Sequence, residues 1–412
     1  MENVFDTLTS RGFVEQVTDE HAVRDLLSKS ITCYIGFDPT APTLHVGSLV
    51  PIMALMHMQR SGHKPIVLVG GGTGMIGDPS GKTKVREILT KARIEENAQA
   101  IKKQFSRYIR FGKDKALLLN NADWLLNLGY VEFLRDIGCH FSVNRMLTAE
   151  SYKARLETGL NFIEFNYMLL QAYDFLYLKK HYHCLLQMGG NDQWGNILAG
   201  TDLVRRVEGA KVEAMTFPLL TTASGAKMGK TAFGTIWLDS GLLKPYDFYQ
   251  YWVNCDDRDV GRFLKLYTFL PLAEIKQLQA LKSSDIRKAK QALAYEATSI
   301  THGEKAAKEA QASASTAFGR GEGKQGRDLA AMPSTTISRD RLTRGINPAE
   351  LFTKVGLSSS RGEAKRLIKQ GGLYVNDKQI KSLNQQLNEA DLTPNGILLR
   401  AGKKKYHRII VK

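Results

Sequence analysis

An α/β fold built on a parallel sheet is what the first half of this 412-residue sequence predicts. Three observations predict it. Short runs rich in Ile, Val and Leu alternate with stretches whose apolar residues recur at helical spacing. The short runs are apolar on both faces, as strands covered by helices on either side must be. Glycine-rich and polar clusters fall just after the runs, where open parallel sheets bind ligands beyond the carboxyl ends of their strands. With 43% hydrophobic and 24% charged residues, the composition is that of a globular chain of roughly two or three domains. It excludes wholesale disorder, collagen-like and coiled-coil architectures.

Taken in order, residues 31–37, 65–70, 115–120 and 183–188 read as strands. Residues 49–60, 91–109 and 164–178 read as the helices between them. From Lys244 to about Phe318 strand signals fade, and the Ala-, Lys-, Gln- and Glu-rich stretch 272–317 suits helices. Residues 319–346 hold Gly319, Gly321, Gly323, Gly326, Pro333 and a Ser/Thr cluster, the composition of a linker. The expected organisation is an α/β domain over 1–220, a mobile loop with a helical domain over 221–318, the linker, and a small module over 347–412. No internal repeat is present.

Lys and Arg number 57 against 41 Asp and Glu, a net charge of +16. An excess of this size favours an anionic partner, most often nucleic acid. The charge is uneven: residues 354–412 carry thirteen basic residues and only four acidic ones, Glu363, Asp377, Glu389 and Asp391. A separate basic module follows from that asymmetry. The four cysteines are scattered without a CxxC pair, which argues against a structural zinc site or a disulfide framework. His181 and His183 near Cys184 lack a fourth ligand, so no metal site is expected. The first ten residues lack the pattern of a signal peptide, and no run reaches the ~18 apolar residues of a membrane span. A soluble, cytoplasmic protein is expected.

Three segments carry chemistry. The first runs from Tyr34 to Ser48, YIGFDPTAPTLHVGS, and leads straight into an apolar helix. A helix start offers N–H groups and a positive dipole end to an anion. Gly47 lets a nucleotide approach the backbone, and His45 can donate to phosphate. The second, Gly70 to Thr83, tempts a P-loop reading that fails on spacing: Gly81-Lys82-Thr83 requires glycine at position 76, where the chain has Ile76. What remains is a glycine-rich loop holding Asp78, with Lys82 and Arg86 beyond it, suited to a triphosphate by another architecture. The third, Ser224 to Thr231, places Lys227 and Lys230 three apart on a Gly-containing loop. Such a clamp can neutralise charge as a phosphoryl group transfers.

Together the HxGx turn at 45–48 and the KMxKx loop at 227–231 resemble class I aminoacyl-tRNA synthetases, where they appear as HIGH and KMSKS. Two further segments, YMLLQAYDF at 167–175 and QMGGNDQWGNI at 187–197, resemble the tyrosyl-tRNA synthetase family of bacterial type. The resemblance covers nearly the whole chain. It implies a Rossmann-like catalytic domain, a homodimer with an interface near residues 130–165, and Mg²⁺ accompanying ATP. It also implies that tyrosine is activated by ATP and then transferred to tRNA(Tyr).

The resemblance assigns Tyr34 and Asp174 to the substrate phenol and Asp78, Tyr167 and Gln171 to its ammonium, with Gln187 completing the tyrosine site. Asp38, His45, Gly47, Ser48, Asp192 and Lys230 fall to ATP. Catalysis falls to Thr40, His45, Lys82, Arg86, Lys227 and Lys230. Tyr167, Gln171 and Asp174 stand at i, i+4 and i+7, one face of a helix, which suggests a lined pocket inside an apolar element. Two departures stand out: Ser48 where the family has His or Asn, and Met-Gly-Lys-Thr for Met-Ser-Lys-Ser. The rival readings are a silent paralogue that only binds RNA and a related ligase for tryptophan. Asp78, Gln171, Asp174 and the loop lysines argue against the first, and the Tyr34–Asp174 pair and the basic tail against the second.

In the tail, residues 357–376 read as a capped helix, a glycine turn and a strand, with Ser359 or Ser360 as cap and Glu363 in the first turn. Arg361, Lys365, Arg366 and Lys369 recur at helical spacing as one basic face. This resembles the RNA-binding module first seen in ribosomal protein S-four. The face, with Lys403, Lys404 and Lys405, is expected to grip tRNA, and Arg205 and Arg206 to meet its acceptor stem.

Overall fold

A computed structural model describes residues 3–411 apart from 81–88, 158, 224, 226–227, 232–233, 319–332, 394–395 and 403–404. The chain divides into two compact units, Met1–Glu304 and Lys305–Lys412.

The first unit is organised by β1 (Gln16–Val17), β2 (Thr32–Phe37), β3 (Lys64–Val69), β4 (Leu117–Asn120), β5 (Cys184–Gly190) and β6 (Glu213–Phe217). They form a six-stranded sheet in the order β1-β6-β5-β2-β3-β4. All neighbours are parallel except the short edge strand β1, which pairs antiparallel with β6. The four strands read from sequence are present, and their buried runs explain why: β3 is buried at every position after Lys64. β6 escapes a sequence reading because Glu213, Ala214 and Met215 are good helix formers; burial on both faces overrides that preference. His183, read as the start of a strand, instead caps the preceding helix in the left-handed conformation at φ 52°. Its N–H bonds to the Leu178 carbonyl and so ends the helix before β5 begins.

Chain order and strand order together place the binding cleft. The chain moves from β2 outward through β3 to β4, then returns to the other side of β2 with β5. The switch point therefore lies between β2 and β5, and a cleft opens there at the carboxyl ends. Across that boundary Tyr34 pairs in register with Gln187. The Phe162–Tyr182 helix opens with a capping box, in which Asn161 accepts from the Glu164 N–H and Glu164 reaches back. The same Glu164 forms a buried ion pair with Arg155 at 2.9 Å. Helices Pro245–Val253, Val260–Tyr267, Leu272–Ala280 and Ile286–His302 complete this unit.

The second unit holds β9 (Ser334–Ile337), β10 (Leu373–Val375), β11 (Lys378–Gln379), β12 (Ile397–Ala401) and β13 (Lys405–Val411), which follow a two-stranded hairpin in the first unit, β7 (Lys230–Thr231) and β8 (Gly234–Thr235). The five strands form a sheet in the order β11-β10-β12-β13-β9, with β13 and β9 parallel. The linker reading of 319–346 needs correction in part. Residues 319–332 lie outside the described set, but β9 and the Arg339–Thr343 helix are ordered structure. Ile337 and Leu342 are buried in this unit's core with Phe352, Ile368 and Leu399, a tertiary contact that composition does not disclose. Ser360 caps the Arg361–Lys369 helix, accepting from the Glu363 N–H at 3.2 Å. Ser360→Ala is expected to destabilise this helix by about 1 kcal/mol, read as faster hydrogen exchange over residues 361–369.

Candidate active site

A cavity of about 340 Å³ lies at the switch point. Its lining gathers Tyr34, Asp38, Thr40, His45, Gly47, Ser48, Asp78, Tyr167, Gln171, Asp174, Gln187 and Asp192, all named from sequence and spread over 159 positions from 34 to 192. Lys82, Arg86 and Lys227 fall outside the described residues, as does the side chain of Lys230. Arg205 and Arg206 do not line the cavity. They sit at the end of the Trp194–Glu208 helix, both paired with Asp202, which also holds Arg145 at 3.0 Å.

At the deep end Asp174 is 2% exposed. It accepts from Asn121 Nδ2 at 2.9 Å and Trp124 Nε1 at 2.8 Å. Burial pushes its carboxyl up to about 7, the charge of Asp38 adds to that, and the two hydrogen bonds oppose it. Tyr34 is also buried, and burial with the neighbouring Asp174 charge pushes its phenol well above the ordinary range. The Tyr34 hydroxyl and Gln187 Oε1 are buried without a hydrogen-bond partner. Buried polar atoms are normally satisfied, so two orphans lining one cavity mark a place for a polar ligand.

Midway, Asp78 accepts from the Ser80 N–H at 2.9 Å and Gln193 Nε2 at 2.7 Å, while Gln171 Oε1 accepts from Asn196 at 3.0 Å. At the other end the Val46–Ser48 turn leads into the Leu49–Arg60 helix. His45 Nδ1 accepts from the Gly47 N–H at 3.0 Å. A neutral imidazole with one nitrogen accepting carries its proton on the other, so Nε2 is a donor. Ser48 occupies the helix N-cap without a side-chain cap bond, so its hydroxyl is not consumed by the helix.

The lysine loop is fastened to this turn. Val46 N–H donates to the Ile236 carbonyl at 2.8 Å, Leu238 N–H to Leu44 at 2.9 Å, and Ile236 N–H to Gly229 at 3.0 Å. Gly229 has φ 86°, and a Cβ there would press on Val46 Cγ1 at 3.0 Å, so glycine suits this place in the KMxKx loop. Sequence reasoning missed Thr73, Asn121, Trp124 and Gln193. The adjacent Asn120 and Asn121, the last residue of a strand and the first beyond it, were the available signal, since that is where parallel sheets place ligand contacts.

A parallel sheet whose switch-point cleft is bordered by an HxGx turn and a lysine loop defines a class I tRNA synthetase catalytic domain. Residues 27–319 match the family described as tRNA synthetases class I (W and Y). Residues 324–409 match the tyrosine–tRNA ligase SYY-like C-terminal domain. The tyrosine–tRNA ligase of Syntrophus aciditrophicus is 56% identical with 100% of both chains covered, and that of Clostridium botulinum strain Loch Maree is 52% identical at the same coverage. Among solved structures, a C-terminally truncated mitochondrial tyrosyl-tRNA synthetase from Aspergillus nidulans superimposes with a TM-score of 0.68 at 31% identity, over 76% of this chain and 93% of that one. The chain belongs to the tyrosine–tRNA ligase family, a family of aminoacyl-tRNA synthetases.

Proposed function

We propose that this protein activates L-tyrosine with ATP, forming tyrosyl-adenylate and pyrophosphate, and transfers the tyrosyl group to the 3′ end of tRNA(Tyr). The observation that supports it is one cavity holding the buried Tyr34–Asp174 pair at its depth and the His45–Ser48 turn near its other end. A phenol reaching the depth would give its proton to Asp174 and accept from the Tyr34 hydroxyl. Asp78, Tyr167 and Gln171 receive the ammonium, and Gln187 completes the tyrosine contacts.

The tyrosine carboxylate attacks the α-phosphorus and pyrophosphate departs, so the protein supplies position and charge rather than a nucleophile. Thr40, His45, Lys82, Arg86, Lys227 and Lys230 take the growing negative charge. Gly47, Ser48 and Asp192 take the nucleotide. The terminal ribose hydroxyl of tRNA then attacks the activated carbonyl and releases AMP. Mg²⁺ belongs to this reading as part of MgATP. Among the described residues no group of three or more His, Cys, Asp or Glu could hold the ion, and Mg²⁺ prefers phosphate and water ligands. A tyrosine-dependent ATP–pyrophosphate exchange assay tests the activation step; absence of exchange leaves only an RNA-binding protein.

The basic faces belong to the tRNA. Arg361, Lys365, Arg366 and Lys369 are exposed, while Ala364 and Ile368 of the same helix are buried. Arg361 pairs with Glu350 at 3.3 Å. Arg205 and Arg206 serve the acceptor stem. Changing Lys365 and Arg366 together to Glu is expected to weaken tRNA binding and to lower the slope of log K against log salt by about two. Filter binding over a salt series measures both.

The homodimer is proposed through residues 130–165, where Tyr130, Val131 and Phe162 are 63%, 72% and 65% exposed, an apolar surface suited to a second copy. Sedimentation of the full chain tests it. A cytoplasmic location accords with this function. Among the described residues no helix is long and apolar enough to cross a membrane.

A further inference from the structure

The Asp38 side chain points at the amino-acid end of the cavity. Its Oδ1 accepts from Thr73 Oγ1 at 2.8 Å, and its Oδ2 accepts from Tyr167 Oη at 2.8 Å. Gly70 makes the room: a Cβ there would collide with both Asp38 Oδ1 and Thr73 Oγ1. Thr73 Oγ1 accepts from Asn121 Nδ2 at 3.0 Å, and the same amide nitrogen donates to Asp174 Oδ2 at 2.9 Å. Asn121 Oδ1 is held in turn by the Gly72 N–H at 2.8 Å.

Chemistry sets the direction of each bond. An ionised carboxylate only accepts, so Thr73 and Tyr167 must donate to Asp38. A phenol has a single proton. With that proton committed to Asp38, the Tyr167 oxygen can only accept from any further partner. A substrate ammonium, which only donates, therefore meets an oxygen already turned to receive it.

We infer that Asp38 is a positioning residue for recognition of the substrate ammonium, acting through the Tyr167 hydroxyl and held in place by Thr73 and Gly70. This rests on the tyrosine-activating reading above, and it moves the Asp38 carboxylate from the nucleotide to the amino acid. The same logic predicts what asparagine would do at position 38. Thr73 accepts from Asn121 and must donate onward, so the asparagine oxygen faces Thr73 and its NH₂ faces Tyr167. Tyr167 then becomes the acceptor in that bond, and its own proton turns toward the ammonium.

The test is equilibrium binding of three probes to the full-length protein: L-tyrosine, L-tyrosinol, which keeps the ammonium, and 3-(4-hydroxyphenyl)propanoate, which lacks it. Asp38→Asn is expected to weaken the first two roughly ten- to hundredfold, the scale of a hydrogen bond to a charged group. The propanoate should change less than about twofold, as should the KM for ATP. In a Tyr167→Phe background the Asp38→Asn loss should vanish. Thr73→Val keeps the carboxylate and removes its anchor, so it should discriminate among the probes in the same sense and serves if Asp38→Asn does not fold.

Equal weakening of all three probes, a loss confined to ATP, or a loss that persists with Tyr167→Phe overturns the inference. Failure of the unaltered protein to bind tyrosine overturns the proposed function itself. Tyrosine binding without the predicted discrimination overturns only the role of Asp38.

Discussion

Asp174→Asn is expected to lower kcat/KM for tyrosine roughly ten- to hundredfold at pH 8. The carboxylate sits between two donors, Asn121 and Trp124, so it must accept from both. An asparagine can present its oxygen to only one of them, and its NH₂ cannot accept the phenol proton. The pH profile sharpens the test. With the carboxyl pushed up to about 7 by burial, the acceptor form is lost below neutrality. The wild-type KM for tyrosine should rise about tenfold per pH unit on the acid side, and the variant should be flat there.

Stability carries the opposite sign from an ordinary salt-bridged aspartate. The folded-state value lies above the unfolded one, so the native protein holds this proton more tightly. Stability should fall as pH rises from about 4 to about 7, by up to roughly 4 kcal/mol, and then level off. Thermal melts at pH 5 and pH 8 should show wild type losing ground to Asp174→Asn across that interval. An unchanged tyrosine KM in the variant would remove Asp174 from phenol recognition.

His45→Ala should slow single-turnover adenylate formation about a hundred- to a thousandfold, with tyrosine affinity within about twofold. Nδ1 accepts from the Gly47 N–H, so the ring proton sits on Nε2, the nitrogen that can donate to charge developing on the departing phosphates. Tyrosine affinity is spared because Tyr34, Asp174 and Gln187 stand on β2, β5 and the Phe162–Tyr182 helix rather than on this turn. His45→Gln, whose amide nitrogen reaches about as far as Nε2, should recover part of the rate. Rapid-quench measurement of adenylate with saturating ATP decides the matter, and an unaltered rate would leave His45 with only its hydrogen bond to the Gly47 N–H.

The legible part of this molecule was the part written locally. Residues 49–60 form a helix with the predicted bounds, because the apolar spacing spans the whole element. Tyr167, Gln171 and Asp174 do line one cavity, because 3.6 residues per turn bring i, i+4 and i+7 together in any helix. Ser360 does cap its helix, because a cap needs only a partner three residues on. The illegible part depended on distant segments. β6 is a strand only because β5 and the covering helices bury it, and β9 is ordered only because β13, at the far end of the chain, pairs with it.

The sequence by itself determined the order of the motifs, the parallel α/β pattern and part of the cleft's lining, Tyr34, Asp38, His45, Asp78, Tyr167, Gln171, Asp174 and Gln187 among it, but not Thr73, Asn121 or Gln193. The tertiary structure alone decided how those residues are wired. Asp38 and Tyr167 are 129 positions apart, and Asn121 meets Asp174 across 53. Neither pairing has a local signature, since hydrophobic periodicity reports which face of an element is buried and not which element lies opposite. Strand order settles that, by returning β5 to the flank of β2 and closing the cleft around both carboxylates.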